Sequence, residues 1–124
     1  MFVADDDKTA RAYAMGAVSP YRHYYQSLAT KLIKNGRAEL FKTSRDMPDS
    51  EVTIDDIMDK LVIWGSPTKV ADEILAFREH VGDFGTLLYA GHDWRDRDLA
   101  RRSMVLAAEK VLPVVNAAIG KQAA

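Results

Sequence analysis

The sequence predicts a helix-rich α/β fold in which two or three short strands alternate with four to five helices. Three observations carry this. The stretch from Val62 to Trp94 reads as one strand–loop–helix–strand unit. Serine followed by proline, a cap and then a residue with its φ already set, opens a helical pattern twice, at Ser19-Pro20 and Ser66-Pro67. The order along the 124 residues is β–α–α–loop–α–(β)–α–β–α, and strands alternating with helices imply parallel pairing through right-handed crossovers.

Met1-Phe2-Val3-Ala4 is a short apolar run, and Asp5-Asp6-Asp7 follows it at once. Asp6 or Asp7 is the expected N-cap of the next helix, with its charge well placed against the helix dipole. A calcium loop would need further oxygen ligands at alternating positions, which Lys8, Ala10 and Arg11 do not offer. Lys8 to Val18 is Ala-rich and helical, ending near Gly16. In the next helix Tyr21, Tyr24, Tyr25, Leu28, Leu32 and Ile33 share one face, and Asn35-Gly36 closes it. Three tyrosines at this spacing are an amphipathic core face rather than a wall for a flat ligand. Arg37 to Ser50 reads as a long polar loop.

Thr53-Ile54-Asp55-Asp56 resembles a capping box, and Ile54, Ile57, Met58 and Leu61 form the buried side of a short helix. Val62, Ile63 and Trp64 are a β-favouring run broken by Gly65. Val70, Ile74, Phe77 and Val81 then define a helical face ending at Gly82. Thr86-Leu87-Leu88-Tyr89-Ala90 is apolar without alternation, the pattern of a strand covered on both faces. Arg95-Asp96-Arg97-Asp98 opens a last helix whose face is Ala100, Met104, Ala107, Val111, Val114, Val115 and Ala118. Pro113 should kink or break it, because the ring meets the carbonyl of Glu109. Arg101 and Arg102 read as solvated, or as partners of Asp98.

Composition sets outer limits. One domain, residues 1–124, is what this length supports, and 48% hydrophobic residues with mixed charge fit a globular chain. A formal net charge of −1 argues against a dedicated nucleic-acid surface. The absence of cysteine removes disulfides, thiol nucleophiles and thiolate metal sites. No membrane span and no signal peptide are read, so the expected location is cytoplasmic. His23, His80 and His92 have no recognisable base, nucleophile or second-ligand partner in sequence, which leaves an independent histidine enzyme or a metal site with little support.

Three stretches in order, FVADDDKTARAYA, WGSPTKVADEILAFREHVGDFGTLLYAGHDW and RRSMVLAAEKVLPVV, resemble the bacterial luciferase-like flavin-dependent monooxygenase family. They are similar to a strand ending in acidic residues, to the Gly-Ser/Thr-Pro helix start with the last barrel strand, and to the C-terminal helix with its proline. The resemblance implies a (β/α)₈ TIM barrel and FMN, or in a minority of relatives a deazaflavin. The flavin would arrive reduced by a separate flavin reductase and oxygenate an organic substrate. A whole barrel takes about 250 residues, and the match is to the last strands only, so a C-terminal fragment is implied. No catalytic residue carries over. His92, Asp93 and Trp94, at the end of the last strand, are the candidates for lining a substrate pocket; capping and packing of the last helix is the competing role for Asp93 and Trp94. Strands without their barrel neighbours should associate, as a homo-oligomer, by swapping, or with another polypeptide. The alternative function is a small non-enzymatic α/β oligomerisation module.

Overall fold

Phe2–Val3 (β1) and Trp64–Gly65 (β2) pair in parallel, with Phe2 opposite Trp64 and Val3 opposite Gly65. The structure is a computed structural model describing residues 1–91 and 95–122. Between the strands lie Asp7–Met15 (α1), Pro20–Lys34 (α2), two 3₁₀ turns at Ala38–Phe41 and Asp49–Glu51, and Ile54–Leu61 (α3). After β2 come Pro67–Val81 (α4), Arg97–Leu106 (α5), a π-turn at Ala107–Val111 and Leu112–Gln122 (α6). The helix-rich α/β class and the parallel pairing are as the sequence implies. The loop from Arg37 to Ser50 is not wholly irregular, since it holds the first 3₁₀ turn and leads into the second.

Side-chain caps explain most of the helix starts. Asp6 accepts the Thr9 amide, Ser19 those of Tyr21 and Arg22, Thr53 that of Asp56, and Asp96 that of Leu99. Ser66 departs from expectation: it makes no such bond within α4, and its own amide donates to Asp7 Oδ1 at 2.7 Å.

The sheet is covered on both faces, because successive strand residues point to opposite sides. Phe2 and Ala4 pack with Ala10, Ala14, Tyr21, Met58 and Val62, from α1, α2 and the α3 end. Val3 packs with Val70, Ala71 and Ile74 of α4 and with Leu106, Val111 and Val115 beyond. Pro113 causes no break. The helix widens first into the π-turn, where the Leu112 amide reaches back to the Ala107 carbonyl, so the register change is absorbed before the proline ring arrives. Arg97–Gly120 is long and apolar enough to cross a membrane by length and mean hydropathy, 1.4, which the sequence reading did not register. Several of its apolar residues pack onto α4 and β1.

Two expected buried elements come out differently. Thr86 to Ala90 is irregular chain, not a strand, with Leu88 82% and Leu87 41% exposed. A strand of this kind is made by its neighbours' hydrogen bonds, and among the described residues no strand pairs with it. The far half of the α4 face, Phe77 and Val81, is about half exposed for the same reason. Met104 and Val114 are likewise exposed rather than core.

The outer edge of β1 is not open. Phe2 and Ala4 donate their amides to Ile63 and Gly65 across the pair. Alternation therefore turns the Val3 amide and the Met1 carbonyl to the other side. There the Val3 amide donates to Ser103 Oγ at 2.8 Å, and the Tyr21 hydroxyl donates to the Met1 carbonyl at 2.7 Å. The expectation of a bare strand edge is corrected at this position: side chains close it.

Candidate functional site

The loops leaving the C-terminal ends of β1 and β2 lie side by side, as the parallel pairing requires, and this end of a parallel sheet is where ligands gather. Every carboxylate of the acidic triplet has a separate partner. Asp5 pairs with Arg102, whose Nε lies 3.0 Å from Oδ2. Asp6 caps α1, and Thr9 Oγ1 donates to it as well at 2.8 Å. Asp7 ties the first loop to the second through the Ser66 amide. These donors hold all three below the ordinary aspartate range: Arg102 for Asp5, the Thr9 amide and hydroxyl for Asp6, the Ser66 amide and hydroxyl for Asp7. Arg102, read from sequence as solvated or paired with Asp98, is thus a long-range partner instead.

Beside these loops runs an open groove of about 640 Å³, bordered by Asp5, Ser66, Thr68, Asp72, Arg102 and Lys110. Arg102 of α5 and Lys110 of the π-turn border the groove with the first residues of α4 and suit an anion, although Asp5 already offsets Arg102. The groove's apolar lining is Pro67, Ala71, Leu106 and Val114, with no aromatic side chain among the described residues. His92, Asp93 and Trp94, the candidates from sequence, lie outside the described residues. His80 is exposed on the last turn of α4, and His23 borders a separate shallow groove with Arg22 and Arg95. Among the described residues no group of three His, Asp or Glu is placed to hold a metal ion.

The buried polar residue that the sequence did not single out is Ser103. It is fully buried on α5, accepts the Val3 amide and lies 2.8 Å from the Tyr89 hydroxyl. The signal was present: Ser103 falls between Ala100 and Ala107 on the buried face, and a polar residue there needs a partner. Burial pushes the Tyr21 and Tyr89 hydroxyls upward, so both are neutral donors or acceptors near neutral pH.

No protein-family model matches the chain, and no curated protein does. The architecture does match part of a flavin-dependent monooxygenase fold. One solved structure it resembles is a type II Baeyer–Villiger monooxygenase in complex with FMN. That protein is the oxygenating constituent of 3,6-diketocamphane monooxygenase, from the CAM plasmid of Pseudomonas putida. The TM-score is 0.73 at 25% identity, over 90% of this chain. The chain spans 31% of the length of that neighbour.

Proposed function

We propose that this chain supplies the last β/α units of an FMN-dependent, luciferase-like monooxygenase barrel and is catalytically incomplete without the rest of it. The observation that carries this reading is the likeness to an FMN-bound oxygenating constituent over 90% of this chain but only 31% of that one. The ordered motifs of the sequence support the same class. On this reading FMN, reduced by a separate reductase in the cytoplasm, lies against surfaces that this chain shares with the missing strands. His92, Asp93 and Trp94 then line the substrate side. The groove's lack of an aromatic wall fits a partner that brings the ring-binding side chains.

A second reading, the non-enzymatic α/β module, is favoured by one observation: both faces of the sheet and the β1 edge are already covered within the chain.

The test is FMN retention through size exclusion, measured for this chain alone and for this chain co-expressed with the unmatched part of the diketocamphane monooxygenase constituent. The chain alone is expected to emerge colourless and the combination yellow, at one flavin per complex. One tightly held FMN on the chain alone overturns the claim of incompleteness. A folded complex that never takes up FMN overturns the flavin reading and leaves the module.

A further inference from the structure

The caps on the outer edge of β1 follow a particular pattern. In a parallel ladder one residue serves two residues of its neighbour: its amide donates to the carbonyl before the facing residue, and its carbonyl accepts from the amide after it. β1 and β2 show the rule, since Phe2 faces Trp64 and its amide goes to the carbonyl of Ile63. On the opposite edge of β1, a strand residue facing Phe2 would donate to the Met1 carbonyl and accept from the Val3 amide. The Tyr21 hydroxyl and Ser103 Oγ do just these two things. Two side chains from α2 and α5 therefore stand in for one residue of a parallel strand.

Tyr89 completes the arrangement. Its hydroxyl meets Ser103 Oγ, and it comes from a stretch whose sequence is strand-like but which forms no strand among the described residues. The plug is shallow, because it satisfies a single residue position, and its Ser103 hydroxyl is carried by α5. Leu106 at the end of α5, Val111 of the π-turn and Val115 of α6 pack with α4 in one core, about one turn or more beyond Ser103.

We propose that the outer edge of β1 is a docking site for a parallel β-strand of a partner polypeptide, held shut in the lone chain by Tyr21, Ser103 and Tyr89. The partner is the polypeptide that carries the barrel strands this chain does not supply, so the inference rests on the function proposed above. Docking moves Ser103 and α5 away from β1, frees Tyr89 with the Thr86–Ala90 segment, and replaces two hydroxyl caps by backbone groups.

Because the chain has no cysteine, the plug can be locked cleanly. Val3→Cys with Ser103→Cys, its cross-link verified by mass under non-reducing conditions, joins β1 to α5 when oxidised and releases it when reduced. The probe is the unmatched segment of the diketocamphane monooxygenase constituent, and complex mass is read by light scattering. The reduced form is expected to bind and the oxidised form to lose binding at least tenfold, whereas Tyr21→Phe, which removes one cap and is milder to the fold, should bind a few-fold tighter. If the oxidised form binds as well as the reduced one, or Tyr21→Phe changes nothing, the edge is not the docking site even though the completion reading stands. If wild type forms no complex and takes up no FMN in the mixture, both readings fall.

Discussion

Ser103 shows how much one buried hydroxyl can organise. It answers the Val3 amide, which would otherwise be a buried donor without an acceptor. Ser103→Ala should therefore destabilise the fold by about 1–3 kcal/mol, the desolvation cost of an orphaned group, read as a lower urea midpoint. Tyr89→Phe leaves the Val3 bond in place and should cost about 0.5–1.5 kcal/mol, the net value of one hydrogen bond. Equal losses from the two variants would mean that the Val3 amide finds water when Ser103 is gone. At this scale the sequence was legible at most local caps: Asp6, Ser19 and Thr53 cap the helices that their spacing marks, whereas Ser66 does not cap α4. It was not legible for Ser103, 100 residues from Val3, or for Arg102 and Asp5, 97 apart. No local pattern encodes such a pairing.

Among the elements, the helices and the first two strands were readable and the third strand was not, and the reason is physical. A helix satisfies its own backbone, whereas a strand exists only where a neighbour lies alongside. Val62 to Trp64 shifts to Trp64–Gly65 because the pairing with Phe2 and Val3 sets the register. Thr86 to Ala90 keeps its apolar composition and loses its strand. The loop between the sheet and α1 carries a pH dependence. Asp5, Asp6 and Asp7 titrate below 3.8 when folded, so the unfolded chain takes up their protons first. Stability from the triplet is fully present above the unfolded value and is lost as pH falls through the folded ones. The wild-type urea midpoint should fall more steeply between about pH 4.5 and pH 2.5 than that of Asp6→Asn/Asp7→Asn; parallel curves would show that these carboxylates do not drive acid unfolding. At the other end of α4, Gly82 holds φ at 88° with nothing within 4 Å of an added Cβ. Gly82→Ala should cost about 1 kcal/mol from backbone conformation alone, measured by thermal denaturation.

For the whole molecule, the balance is between surfaces the chain closes itself and those it leaves to others. The sheet faces and the β1 edge are closed. Leu87 and Leu88 are not, and Phe77 and Phe84, with ring centroids 6.0 Å apart, lie in the adjoining chain. Apolar side chains in an irregular, weakly held segment favour association wherever they can be covered. The lone protein, 13.8 kDa, is therefore expected to show a concentration-dependent mass in light scattering, with association driven by this segment and not by β1. Leu87→Ser/Leu88→Ser should return the mass to that of the monomer without lowering the unfolding midpoint, since neither side chain belongs to either core cluster. Tyr21→Phe should leave the self-association unchanged, because the edge it caps is reserved for a parallel strand and the leucines lie elsewhere. Were the leucine variant to remain associated while Tyr21→Phe altered the mass, self-pairing would run through β1. The homo-oligomer would then compete with the barrel partner for the same edge.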